Sequence, residues 1–276
     1  MQKIGALELP DVAVMAVLNV TPDSFSDGGR FNELDAARRQ AARLVEEGAD
    51  IIDVGGESTR PGSESVAVDE ELQRVIPVIE AVIEETGAIV SVDTTKPKVM
   101  REAASAGAGM INDVRALQDP GALEAAADSG CAVCLMHMQG KPRTMQQNPA
   151  YGDVVTDVTA FLEARRDACI AAGIDASHLV IDPGFGFGKT VEHNLALLRR
   201  LGKLSQLGLP ILAGISRKST LGVITGREVD ERMPASIVAA AIAVQNGATL
   251  VRVHDVAPTV DAIRVVQAVE AANNQG

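Results

Sequence analysis

The chain has 276 residues, a mass of 28.8 kDa and a formal net charge of -12, and its 46% of apolar residues includes few rings, with Phe, Tyr and Trp together at 2%. That length holds one large α/β domain or two small ones, with a core built from Ala, Val, Ile and Leu. The charge opposes non-specific binding to nucleic acid or an anionic membrane, the scarcity of rings leaves no stacking platform for nucleic acid, and no apolar run is long enough to cross a bilayer.

The first residues, MQKIGALELPDVAV, lack the apolar stretch and small-residue cleavage pattern of a signal peptide, so a cytoplasmic protein is expected. Eight apolar runs of strand length then recur: VAVMAVL (12–18), ADIIDV (49–54), AIVSV (88–92), GMINDV (109–114), AVCLMH (132–137), HLVID (178–182), LPILAG (209–214) and TLVRV (249–253). Helical periodicity fills the gaps, with Leu34, Ala37, Ala41 and Leu44 on one face, then Leu72, Val75, Ile76, Ile79 and Ile83, and finally Val260, Ile263, Val266 and Val269. Gly closes several helices just before a strand, in EEGAD, ETGAI, SAGAG, DSGCA and NGATL. Eight strand-helix units predict a (β/α)₈ TIM barrel, a single domain over residues 1–276, in preference to a six-strand doubly wound sheet. Residues 205–246 carry the weakest pattern, where the seventh strand, a polar loop and two helical pieces must fit.

The cysteines are Cys131, Cys134 and Cys169. Positions three apart on a strand face opposite ways, so CAVC reads as two structural thiols rather than a redox or metal pair.

Polar residues collect just past the predicted strands: Asn19 and Asp23; Glu57, Thr59 and Arg60; Asp93; Asn112 and Asp113; His137; Asp182; Ser216, Arg217 and Lys218; Arg252 and His254. In a barrel these ends converge on the face where such folds build their sites. NVTPDSFSDGG is either an ordinary turn-rich loop with a helix cap or a source of oxygen ligands, from Asn19, Asp23 and Asp27, for a hard ion such as Mg²⁺ beside a substrate phosphate. DVGGESTRPGSE either turns the chain or brings Arg60 and close backbone to an anion, and Asp53 within it either faces the barrel interior or orients the loop. Asp93 and Asn112, with Asp113 as a further candidate, offer the mixed acceptor and donor set that suits a nitrogen heterocycle, although either Asp can instead cap the next helix. IDPGFGFGK carries neither dinucleotide nor P-loop spacing, and Phe185 or Phe187 could lie over a flat ring. GISRKS and RVHD form either solvated basic pairs or a cationic cluster that focuses potential on an anion. A flat polar heterocycle with a phosphate tail satisfies both halves of such a pocket.

The motifs VLNVTPDSFSDGG, GADIIDVGGESTRPG, SVDT, INDV, MHMQGKPRTMQ, IDPGFGFGKT, GISRK and RVHDV, in this order across residues 17–256, resemble those of the bacterial dihydropteroate synthase family of pterin-binding barrels. The resemblance implies condensation of 7,8-dihydropterin-6-ylmethyl diphosphate with 4-aminobenzoate, with Mg²⁺ as cofactor and a homodimer as the assembly. It implies a pterin site of Asp93, Asn112, Asp182 and Lys218 with Met136 nearby. Asn19, Arg252 and His254 would hold the diphosphate and its metal, with Asn19 a metal ligand and Asp23 arriving on the closing first loop. Thr59, Arg60, Pro61, Phe187, Lys218 and Ser219 would form the 4-aminobenzoate side. Ala16, where a Gly is common, and Thr220, where a bulkier residue is frequent, depart from the family pattern. The competing readings are a methyltetrahydrofolate-dependent methyl-transfer barrel, which has little use for the TRPG loop, and a non-catalytic pterin-binding fold-mate, which would have lost Lys218, Arg60 or Asn19.

Overall fold

The chain begins with a feature that the periodicity does not announce, an antiparallel hairpin of β1 (Gln2–Ile4) and β2 (Leu7–Leu9). It is seen in a computed structural model that describes residues 1–21, 29–58, 63, 65–140 and 144–273. The eight apolar runs follow as strands β3 (Ala13–Asn19), β4 (Ile51–Gly55), β5 (Ile89–Asp93), β6 (Met110–Asp113), β7 (Ala132–Met136), β8 (Leu179–Asp182), β9 (Leu212–Ala213) and β10 (Leu250–Val253). All neighbours pair in parallel in the order β8-β7-β6-β5-β4-β3-β10-β9. A parallel bridge between Ile181 and Ile211 joins the two ends of that order, and Ile181 N donates to Pro210 O at 3.0 Å, so the eight strands form a ring.

The helices cover the outside: α1 (Gly29–Glu46), α2 (Val68–Thr86), α3 (Pro97–Ser105), α4 (Ala122–Ser129), α5 (Val154–Ala171), α6 (Val191–Arg199), α7 (Ser219–Thr225), α8 (Met233–Gln245) and α9 (Val256–Asn273). The uncertain stretch after the seventh barrel strand resolves into α7 and α8, as its two helical pieces predict. Gly87 ends α2 in the left-handed region, with its N–H on Ile83 O, which turns the chain into β5 without a Cβ clash.

Strand alternation sorts the side chains into two cores. Val14, Ala16, Leu18, Ile52, Val54, Val90, Val92, Ile111, Val133, Leu135, Leu179, Ile181, Ala213, Val251 and Val253 point outward under the helices. Burial of each larger side chain contributes on the order of 1.5–3 kcal/mol, which is why both faces of a parallel strand read as apolar. Met15, Ile51, Met110, Ala132, Cys134, Val180, Leu212 and Leu250 point into the barrel, where Ile4 and Leu9 of the hairpin close the N-terminal end. Cys131 belongs to the outer core, Cys134 to the inner one, and all three cysteines are free and buried. The predicted α9 face holds at Ile263 and Val266, whereas Val269 is exposed beside Val265.

Candidate functional site

The inner face changes character along the strands. In register, Met15, Ile51 and Ile89 form an apolar layer; four residues on, Asn19, Gly55, Asp93 and Asn112 lie side by side, with Asp53 between the layers. Because successive side chains alternate, the parity that points Ile51 inward also points Asp53 inward, so Asp53 faces the barrel interior. The neighbour of Asn112 takes the other side. Asp113 faces outward and accepts from Arg115 N at 2.7 Å and Leu117 N at 2.9 Å, shaping a turn rather than the site.

Arg252 crosses this mouth. Its Nε donates to Asp53 Oδ2 at 2.6 Å and its Nη2 to Asp93 Oδ2 at 3.0 Å, while Asn112 Nδ2 donates to the same Asp53 oxygen at 3.1 Å. Burial alone would lower the pKa of Arg252; Asp53 and Asp93 outweigh it and hold the guanidinium above its ordinary value. Asp93 is pushed up to about 7 by burial, against the pull of Arg252 and with repulsion from Asp53. Two carboxylates thus share one guanidinium in a low-dielectric cup, where burial and mutual repulsion raise Asp93 and Arg252 opposes the rise.

Asp182 and Lys218 form the second half. Asp182 is buried, its Oδ1 accepts from Gly184 N at 2.7 Å, and burial raises its pKa while Lys218 opposes the shift. Burial pulls Lys218 down to about 8, against Asp182 and together with Arg252. Lys218 Nζ donates to Phe185 O and sits 4.6 Å from the centre of the Phe187 ring. A Cβ placed on Gly214 would lie 3.7 Å from Asp182 Oδ2, 3.8 Å from Arg252 Cβ and 3.9 Å from Lys218 Nζ, so these groups converge above a backbone that carries no side chain. Met136 is buried beside the same loop, its Cγ 3.3 Å from where a Cβ of Gly184 would be. Ser219 is exposed on the first turn of α7.

The basic cluster divides. Arg217, at φ 56, forks onto Asp255 with bonds of 3.0 Å and 2.6 Å and donates its backbone N–H to Ser236 Oγ at 2.8 Å, so it ties the β9 and β10 loops together while Lys218 alone turns to Asp182. His254 shares Ser216 Oγ at 3.0 Å through Nδ1, which fixes the imidazole at the end of β10. His137, counted by sequence among the strand-end groups, is instead buried and bonded to Lys189 at 2.9 Å. Of the departures, Ala16 faces the helices, and Thr220 accepts from Asn194, whose Oδ1 receives Gly186 N at 2.8 Å.

Asn19 Oδ1 lies over Gly55 on the side of Asp93 and is a hard oxygen donor at the rim. No group of three His, Cys, Asp or Glu side chains with metal-holding geometry occurs among the described residues. Such a donor set fits Mg²⁺, which takes one or two protein oxygens and completes its shell with phosphate and water. Asp23, Thr59, Arg60 and Pro61 lie outside the described residues. The base of the second loop is described: Lys96 bridges Glu57 and buried Glu71, Thr94 donates to Glu71 at 2.5 Å, and Arg74 holds Gly56 O at 2.8 Å. The sequence pattern does not single out Glu71 and Asn194, which read as solvated positions on amphipathic helices, or Lys96 and Lys189, which read as ordinary loop lysines.

Residues 15–254 match the family model described as pterin binding enzyme. A dihydropteroate synthase of Haemophilus influenzae is 53% identical over 262 residues, 95% of each chain. A Xanthomonas albilineans dihydropteroate synthase with 4-aminobenzoic acid is 55% identical, with a TM-score of 0.91 over 96% of this chain and 95% of that one. The Xanthomonas albilineans enzyme in complex with 7,8-dihydropteroate is 53% identical, with a TM-score of 0.88 over 96% of each chain.

Proposed function

The chain belongs to the pterin-binding enzyme family and within it to the dihydropteroate synthases, and from that premise we propose which of its groups perform each part of the reaction. The enzyme condenses 7,8-dihydropterin-6-ylmethyl diphosphate with 4-aminobenzoate, giving 7,8-dihydropteroate and diphosphate. The observation that carries the assignment is the convergence of Asp182, Lys218 and Arg252 above Gly214 at the polar end of a barrel closed by apolar side chains at the other.

Asp182 accepts from the amino and ring N–H groups of the pterin, and Asn112 and Asp93 read the opposite edge, with Met136 packed nearby. Lys218 lies between the pterin and the arylamine, with Ser219, Phe187 and the Thr59, Arg60 and Pro61 loop on the 4-aminobenzoate side. Asp53 and Asp93 hold the plane of Arg252, and its remaining donors, with His254, receive the diphosphate. As the carbon–oxygen bond breaks, its electron pair leaves with the diphosphate, and the methylene shares positive charge with the electron-rich ring. The arylamine nitrogen forms the new bond and sheds a proton. An arylamine needs no strong base, so positioning and charge complementarity supply most of the acceleration. Asn19, with Asp23 on the first loop, would hold Mg²⁺ against the phosphate oxygens. When bound, that ion neutralises charge gathering on the leaving group.

A homodimer is proposed from exposed Val223 and Ile224 on α7, Val238 and Ile242 on α8, and Val265 and Val269 on α9, apolar side chains on three successive helices. Sedimentation at the 28.8 kDa of one chain would contradict it. No helix among the described residues is long and apolar enough to cross a membrane. A cytoplasmic location is supported by an odd number of free thiols and is tested by cell fractionation.

The site assignments are tested by titrating purified variants with pterin diphosphate and with the bare pterin, with and without Mg²⁺. R252A weakens the diphosphate-bearing ligand more than the bare pterin, K218A weakens both, and N19A removes the gain that Mg²⁺ confers. Equal losses of both ligands in R252A would contradict its leaving-group role.

A further inference from the structure

The segment after β8 has no regular structure, yet each of its five carbonyls from Gly184 to Gly188 accepts from a side chain. Lys189 Nζ reaches Gly184 O at 2.9 Å and Phe187 O at 3.1 Å, Lys218 Nζ reaches Phe185 O, Gln146 Nε2 reaches Gly186 O, and the Tyr151 hydroxyl reaches Gly188 O at 2.7 Å. Two of the five bonds come from one lysine that is 3% exposed. The third proton of its ammonium goes to His137 Nδ1 at 2.9 Å.

This is unusual chemistry for a buried cation. Its three close partners are two carbonyls and a neutral imidazole, with no carboxylate among them, so no direct ion pair offsets the loss of hydration. Burial pulls the Lys189 ammonium down to about 7, with Asp182 opposing and Lys218 adding to the fall. Holding a charge there is worthwhile only if the shape it imposes on the loop matters. The opposite side of that loop faces the substrate mouth, where Phe185 O and the Phe187 ring both meet Lys218, and Gly186 packs so closely that a Cβ would come 3.1 Å from Lys218 Cδ.

We propose that Lys189 is a positioning residue for the condensation: by clamping the Gly184 and Phe187 carbonyls to His137, it holds the loop in the shape that sets Lys218 between the two substrates. The proposal rests on the placement of Lys218 in the substrate site. Lys189 touches neither substrate and acts through the loop. Methionine at this position has a similar length and no donor, so K189M leaves the Phe187 carbonyl without its clamp and lets the ring and the Phe185 carbonyl drift from Lys218.

The test is a double-mutant cycle in the full chain, with wild type, K189M, K218A and the double variant titrated with 7,8-dihydropterin-6-ylmethyl diphosphate and assayed for kcat and KM with 4-aminobenzoate. Loss of charge-assisted hydrogen bonds predicts that K189M weakens pterin diphosphate binding roughly ten- to a hundredfold when Lys218 is present. The effect falls to less than about threefold when Lys218 is already removed, because residues acting through one group are not additive. A purely structural lysine would lower the urea midpoint and weaken binding equally in both backgrounds, and that additivity would overturn the proposal. If K189M does not fold, K189Q, whose amide keeps two donors, is read by the same cycle. Wild-type binding by K218A would overturn the placement of Lys218 itself, whereas impaired K218A with an additive Lys189 effect overturns the positioning role alone.

Discussion

His137 shows how a residue can be conspicuous in sequence for the wrong reason. His137 ends a predicted strand and looks like a mouth residue, but burial, with Lys189 beside it, pushes its pKa down from 6.5 to about 3. Between those two values the unfolded chain carries a proton that the folded chain lacks, so the contribution is present above 6.5 and is lost as pH falls towards 3. The stability of wild type relative to H137N therefore drops by about 2 kcal/mol from about pH 7 to pH 5 in urea titrations. A difference that does not change with pH would mean that the folded ring protonates as readily as the unfolded one. The residues that line the mouth were legible because they stand at strand ends: Asn19, Asp93, Asn112, Asp182, Lys218 and Arg252. Their partners were not. Nothing in a linear string says that Arg252 spans to Asp53 across the barrel, or that Arg217 turns from its neighbour Lys218 to Asp255.

Among the elements, the strands were legible to within a few residues because their outward faces are apolar along their whole length. The hairpin β1–β2 escaped notice because three-residue strands are too short to display a period. β9 shrinks to two residues within a longer apolar run, since Pro210 has no N–H to donate to a neighbouring strand. The loop after β8 depends on glycine at one point above all. Gly184 has a φ of 67, and a Cβ there would meet His137 O at 1.9 Å, a backbone atom that cannot step aside. The left-handed penalty and the clash together predict that G184A loses about 2–4 kcal/mol, read as a lower urea midpoint at an unchanged slope. A loss below about 1 kcal/mol would mean that the two loops are not pressed together as described.

Across the molecule, one barrel carries a gradient from a sealed apolar end to a polar end. Ile4 and Leu9 close the former, and Asn19, Asp93, Asn112, Asp182 and Arg252 crowd the latter. This division explains how a chain with a net charge of -12 can take an anionic substrate. At the mouth Arg252 and Lys218 stand among Asp53, Asp93 and Asp182, so an anion would be received by the directed donors left free on Arg252 and Lys218 rather than by a net positive field. A synthase mouth must join two substrates rather than merely bind a pterin. The most direct measurement is diphosphate release by the purified protein with 7,8-dihydropterin-6-ylmethyl diphosphate and Mg²⁺, with and without 4-aminobenzoate, and with the product identified by mass. The expected result is release that depends on the arylamine and yields 7,8-dihydropteroate in step with diphosphate. Tight binding of the pterin diphosphate by folded, Mg²⁺-supplied protein with no condensation would contradict it, leaving a pterin-binding barrel without the reaction.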